Sequence, residues 1–358
     1  MKTLYNRRNF IKTSAIAGIG LGISGSIIPL FSKGFSPANG KRIGIIGLDT
    51  SHCVAFTKEM NSSNAASELG GYKVVAAYPQ GSLDIESSVE RIPGYTEEVK
   101  RMGVEIVDSI PSLLKKVDVV LLETNDGRRH LEQAISVLKA GKPMFIDKPI
   151  AASLSDAIVI IEAAKHYQTP LFSSSSLRFM PSAQDVANGK IGKVLGADAY
   201  SPYILEKTHP DLFWYGIHGV ELLYTVMGSG CKTLACFHTE NTEVVVGTWA
   251  DGRIGTLRCN RPQKNIYGTP NGDFGGTAYG ENGDAVLGPF GGYNPLLLRI
   301  IKFFQTSISP VDEKVTLEIC AFMEAADESK RRNGAPVILD EIWSKARKDA
   351  QRKLENLI

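Results

Sequence analysis

The stretch from Gly44 to Cys53 reads GIIGLDTSHC. A short apolar strand runs into Gly47 and a helix start follows, an arrangement whose freed backbone N–H groups can hold an anion such as a phosphate. A dinucleotide fingerprint, G-x-G-x-x-G, would place two further glycines where this chain has Asp49 and His52. Two like charges about 4 Å apart repel by roughly 1 kcal/mol in water and by several times that in a partly buried cleft, so Asp49 should not face a diphosphate. Asp49, Thr50 and Ser51 are all good N-cap residues, and an Asp49 turned to cap the helix leaves its N-terminus open to an anion. Asp49-x-x-His52-Cys53 would also begin a metal site, but the sequence shows no partner cluster, and no metal is expected.

The elements that must position this turn are legible. From Lys41, β-branched runs (Arg42 to Gly47, Tyr72 to Tyr78, Val104 to Asp108, Val117 to Glu123, Pro143 to Asp147, Pro170 to Ser173) alternate with helical stretches. The helices are expected at Ser51 to Asn61, Ser88 to Met102, Ile110 to Lys116, Arg129 to Ala140 and Leu154 to His166. Repeated βα units with continuous apolar strands predict an α/β fold, a Rossmann-like doubly wound parallel sheet over residues 41–175. After Ser176 the pattern changes to alternating strands and longer helices, predicting an α+β domain with an open, mostly antiparallel sheet over 176–339. A polar C-terminal helix follows over 340–358.

At 358 residues, with 43% hydrophobic and 22% charged residues, most of the chain is globular rather than disordered. The net charge of +2 belongs to residues 1–40, which hold Lys2, Arg7, Arg8, Lys12 and Lys33 and no acid; the remainder is at −3, so charge gives no nucleic-acid reading. Those forty residues, with adjacent arginines, Phe10 and a Gly- and Ala-rich apolar run, read as a twin-arginine-like export signal and linker. The expected location is exported, periplasmic or membrane-associated, with an uncleaved signal as the competing anchor reading. Five cysteines form no C-x-x-C, and Cys236 with Cys259 is one conceivable pair.

Three further stretches carry a resemblance: LLETNDGRRHLEQAISVLKAGKPMFIDKPIAASLSDA from Leu121, SSSSLRFMPS from Ser173 and WYGIHGVELLYTVMG from Trp214. In order, they resemble the Gfo/Idh/MocA oxidoreductases, the glucose-fructose oxidoreductase and inositol dehydrogenase group. Thr124, Asn125 and His130 match that family's T-P-N-x-x-H loop with one inserted residue, and Asp147-Lys148-Pro149 its E-K-P. His218-x-x-Glu221 stands where the family has H-x-x-D. The resemblance implies that Lys148 binds the reacting oxygen, that His218 is the base, and that the Lys-Pro bond is cis. It further implies NAD or NADP, a polyol, sugar or glycoside substrate, and a homo-oligomer. The family's acid four places before the histidine is here Trp214, so Glu221 or another acid must substitute if the histidine is to be oriented. Arg178, Trp214, Tyr215 and Glu221 are the candidate substrate residues.

The cofactor end departs further. The second strand ends Tyr78-Pro79-Gln80-Gly81-Ser82, without the acid an NAD enzyme sets against ribose and without an arginine to mark NADP. Gln80 and Ser82 are the available ribose partners. Gly47, Asp49, Thr50, Ser51, His52, Tyr78, Gln80, Ser82, Thr124, Asn125, His130, Asp147 and Lys148 make up the candidate cofactor site. Two functions compete. One is an exported NAD(P)-dependent oxidoreductase, with the cofactor recycled within one turnover as a variant. The other is a non-redox carbohydrate-binding or assembly protein whose dinucleotide site has decayed.

Overall fold

The computed structural model describes residues 40–261, 263–264, 270–271 and 274–357. The export-signal reading of residues 1–40 falls, but for Gly40, outside the described residues.

Six strands, β1 (Arg42–Ile46), β2 (Lys73–Tyr78), β3 (Glu105–Ile106), β4 (Val119–Leu122), β5 (Met144–Ile146) and β6 (Leu171–Ser173), form one parallel sheet. Its order is β3-β2-β1-β4-β5-β6. The strand order reverses between β1 and β4, the switch point outside which ligands bind in open α/β sheets. The intervening helices are α1 (Ser51–Asn61), α2 (Glu86–Arg101), α3 (Ile110–Leu114), α4 (His130–Lys139) and α5 (Leu154–His166). Strands β1, β4, β5 and β6 are almost wholly buried, as expected of a sheet covered on both faces.

After α6 (Pro181–Ala187) come β7 (Val194–Pro202), α7 (Ile217–Met227), β8 (Cys231–His238), β9 (Thr242–Trp249) and β10 (Ile254–Asn260). The two-residue strands β11 (Gln263–Lys264) and β12 (Pro270–Asn271) pair with each other; β13 (Gly275–Gly280) and β14 (Gly283–Leu287) form a hairpin. Helices α8 (Asn294–Thr306) and α9 (Glu313–Arg331), strand β15 (Val337–Ile338) and helix α10 (Leu339–Leu357) complete the described chain. The second sheet is ordered β14-β13-β7-β10-β9-β8-β15, antiparallel except for β7 with β10. In β9 burial alternates residue by residue, the signature of a sheet with one covered face. Helices α7 and α9 cover that face through Tyr224, which packs on Trp249 of β9, and Phe322, while Tyr200, Phe237, Ile254 and Tyr279 are exposed.

The linear division into domains is crossed twice. Leu296, Ile300, Phe303 and Phe304 of α8 join Ile43, Ile45, Phe145 and Phe172 in the core of the first sheet. The C-terminal helix is no separate unit: Lys353 of α10 donates to Ser155 and Asp156 at the start of α5, at 2.9 and 2.6 Å. Cys236 and Cys259 sit on strands separated by β9, and all five cysteines are free and buried, which removes the disulfide pairing. Among the described residues no helix is long and apolar enough to cross a membrane.

Candidate active site

Gly47 is the fixed point of the β1 turn. Its φ of +90° lies in the region that glycine favours, and a Cβ there would stand 2.3 Å from the Thr124 backbone nitrogen. Beyond it, Asp49 does not cap α1. The N-cap is Thr50, with no side-chain bond to the first turn, so the N–H groups of that turn keep no side-chain partner at the cap. The Asp49 carboxylate instead crosses the switch-point crevice, accepting the Asn125 N–H at 2.8 Å and the Ser88 hydroxyl at 2.7 Å. Burial pushes its pKa up to about 6, against the pull of those hydrogen bonds.

The ribose side of the crevice is filled by the chain itself. Ser82 donates to Asp126, which also accepts from Arg128 at 2.7 Å and faces His209 at 3.1 Å; Arg128 in turn holds Asp84 through two hydrogen bonds. Gln80 accepts from Gln133 at 2.9 Å. Tyr78, Gln80 and Ser82, expected as cofactor ligands, therefore do not line the open cleft. Neither does His130, which is buried with its two ring nitrogens on the carbonyls of Thr124 and Pro149, at 2.7 and 2.9 Å, and ties two loops together.

The open cleft, about 400 Å³, lies between the C-terminal ends of the first sheet and the second domain. It is lined by Thr50, Ser51, His52, Asn125, Asp147, Lys148, Trp214, Tyr215 and His218, with Arg91 from α2 and an aromatic wall of Phe274, Phe290 and Tyr293. Larger depressions along α10, of about 710 and 830 Å³, are lined mainly by charged surface side chains and hold none of these groups.

Lys148 follows β5 and its bond to Pro149 is cis. Its ammonium lies 3.2 Å from Asp147. Burial opposes that charge, but Asp147 and Glu123 outweigh it and hold the lysine above its ordinary pKa. Opposite stands His218 at the start of α7, its Nδ1 2.7 Å from the Ser175 hydroxyl. Burial, helped by the Lys148 charge, holds His218 well below the usual histidine range, so the ring is neutral at pH 7. Ser175, which the sequence did not single out, thus takes the place expected of an acid. Glu221 pairs with Arg178 and Ser174 instead, and neither Glu221 nor Arg178 reaches the cleft lining. Trp214 and Tyr215 do line it.

His52 is buried, framed by Phe56 and Tyr293 at ring-centroid distances of 5.1 and 4.4 Å. Its Nδ1 points at Asp147 Oδ1, 3.2 Å away, and Glu123 Oε2, 3.6 Å away. Glu123 and Asp147 supply the partner cluster that the sequence did not reveal.

Residues 41–174 match the family model described as the oxidoreductase family with an NAD-binding Rossmann fold, GFO_IDH_MocA. The Rossmann domain over residues 41–174 is of the Gfo/Idh/MocA oxidoreductase family. No curated protein matches the sequence. Among solved structures the chain is similar to a probable dehydrogenase from Thermotoga maritima (21% identity, 84% of this chain and 99% of that one, TM-score 0.66). It is also similar to scyllo-inositol dehydrogenase from Lactobacillus casei with bound NAD(H) and scyllo-inositol (16%, 84% and 99%, 0.64). A third is an oxidoreductase from Agrobacterium radiobacter in complex with NAD+, L-tartaric acid and magnesium (15%, 84% and 99%, 0.65). At these identities the likeness establishes the two-domain fold.

The Gfo/Idh/MocA domain fits a dinucleotide unevenly. The uncapped α1 turn at Thr50 and Ser51, with Arg91 beside it, suits phosphates, and Asn125 and Lys148 leave room at the reactive end. The adenosine end does not fit in the usual position, because Asp49 and the Ser82–Asp126 network fill it.

Proposed function

We propose that the chain is an NAD(P)-dependent oxidoreductase acting on a hydroxyl of a small polyol, sugar or glycoside in the 400 Å³ cleft. The observation that carries this is the placement of Lys148 and His218 in one cleft, one held charged and the other neutral. Lys148 donates to the substrate oxygen and stabilises negative charge as it develops there. With its own proton on Nδ1 and given to Ser175, His218 has its second ring nitrogen free to take the hydroxyl proton. The aromatic wall of Tyr215, Phe274 and Tyr293 suits the apolar face of a sugar or polyol ring. Thr50, Ser51, Arg91 and Asn125 would hold NAD(P), which when bound would supply the hydride acceptor. That a neighbour of the same fold binds NAD(H) and scyllo-inositol supports the substrate class. Export as a folded, cofactor-loaded protein and pairing of chains through the exposed side chains of the second sheet belong to the same reading.

The Asp49 bridge favours a second reading, in which the fold binds a carbohydrate without redox chemistry. Denaturing purified protein and assaying the supernatant for NAD(H) and NADP(H), with titration of the stripped protein, separates the two. Released nucleotide or saturable binding supports the oxidoreductase. No nucleotide and no binding at high micromolar concentration would leave the non-redox reading.

A further inference from the structure

His52 lies in the first turn of α1 after β1, and Glu123 and Asp147 immediately follow β4 and β5; β1, β4 and β5 are neighbouring strands of the first sheet. The sheet order therefore delivers one imidazole and two carboxylates to a single point, and one ligand atom from each lies within 4.8 Å of the others. All three residues are at least nine-tenths buried. Buried polar atoms are ordinarily satisfied, yet Glu123 Oε1 has no hydrogen-bond partner, and His52 Nδ1, though 3.2 Å from Asp147 Oδ1, makes no well-aligned hydrogen bond.

The spacing has its own meaning. A tetrahedral ion with bonds of about 2.1 Å keeps its ligand atoms about 3.4 Å apart. His52 Nδ1 stands 3.2 Å from Asp147 Oδ1 and 3.6 Å from Glu123 Oε2, so the two distances straddle that edge length. The supporting contacts also suit ligands. Asp147 accepts the Lys148 N–H at 2.8 Å and the Lys148 ammonium at 3.2 Å, Thr50 leans on Glu123, and Phe56 and Tyr293 fix the imidazole plane. His52, Asp147 and Thr50 all line the cleft, which gives an ion an entry path.

We propose that His52, Glu123 and Asp147 bind one divalent transition cation at the floor of the cleft. One nitrogen and two carboxylate oxygens favour Zn2+ or Mn2+ over the softer ions that thiolates select. The site stands independently of the redox reading, because its ligands are read from geometry and its test does not use turnover. Asp147 would face the ion on one side and the Lys148 ammonium on the other, so ion binding and the charge at Lys148 are coupled through a single carboxylate.

The test uses the full chain, stripped with chelator and dialysed against Zn2+ alone or Mn2+ alone. Metal content, thermal melts and, for zinc, X-ray absorption are then recorded. The expected result is one ion per chain, a melting temperature that climbs with metal concentration, and nitrogen and oxygen donors only. Glu123→Gln, nearly isosteric, is expected to weaken binding at least tenfold while melting close to the metal-free parent, and His52→Gln to do the same. Should either variant fail to fold, the wild-type stoichiometry and absorption spectrum carry the test alone. No saturable binding, sulfur donors from the buried cysteines, or binding unchanged in Glu123→Gln would each overturn the site, leaving a protonated His52 between two carboxylates as the account of the cluster.

Discussion

The Asp49 carboxylate accepts the backbone N–H of Asn125 at 2.8 Å, and this bond joins the loops after β1 and β4 across the crevice where a dinucleotide fold opens. Because burial raises the Asp49 pKa to about 6, the folded state prefers the protonated acid. The sign follows: the penalty is absent below the unfolded value near 3.9 and grows as pH rises to the folded one. Asp49→Asn removes the charge, keeps an amide oxygen to accept the Asn125 N–H and turns the Ser88 contact into one in which the amide NH2 donates to the hydroxyl. It should raise the melting temperature at pH 7.5, by an amount worth at most about 3 kcal/mol, and leave it unchanged at pH 3.5. The same variant should bind NAD(H) more tightly in titration calorimetry, since a negative charge has left the phosphate path.

Lys148→Ala and His218→Ala should each lower kcat by roughly 10²- to 10⁴-fold, the usual contribution of a positioned acid or base. Nucleotide affinity, measured by fluorescence titration, should change little in His218→Ala. Unchanged turnover in both variants would remove these residues from the site.

His218 sits below the ordinary histidine pKa, so it stays an unprotonated base well into mild acid. The acid limb of kcat/KM that it controls should lie well below the value of about 6.5 expected of an unperturbed histidine. Ser175→Ala removes the contact at Nδ1 and is expected to lower kcat by roughly tenfold, near the net value of one hydrogen bond, with KM held within twofold. A steady-state pH profile of both proteins checks the pair of statements.

Asp126 is fully buried and carries the bonds to Ser82, Arg128 and His209. Burial alone would raise its pKa, but these partners hold it far below the usual carboxylate range. Its contribution is therefore complete above about pH 3.9 and is lost as pH falls through and below that value. Asp126→Ala should cost about 3 kcal/mol at pH 7, as breaking a buried charged pair does, and roughly 1 kcal/mol less near pH 3. Urea unfolding at the two pH values measures the difference.

The alternation of apolar strands and helices made the first sheet legible, and helices α1 and α5 fall where the periodicity placed them. Lys148 and His218 could be found because each stands in a long stretch of recognisable order. Glu123 could not: at the end of an apolar strand it reads as a boundary residue, and only the β1-β4-β5 neighbourhood sets it against His52. Ser175 was hidden among four consecutive serines, any of which could have faced His218. The reading of Asp49 as a helix cap failed because local propensity favours a cap while the Asn125 N–H that its carboxylate accepts lies across the crevice, a long-range contact that local sequence does not encode.

The packing of α8 against the first sheet also orders events during synthesis. When Ser173 completes the parallel sheet, the side chains of Leu296, Ile300, Phe303 and Phe304 that will cover one of its faces have not yet been made. At 5–20 residues per second the uncovered face waits on the order of ten seconds for them. A nascent chain stalled in that interval presents Ile43, Ile45 and Phe145 to whatever binds apolar surface, so holdase chaperones would find their footing on the strands that later carry the cleft.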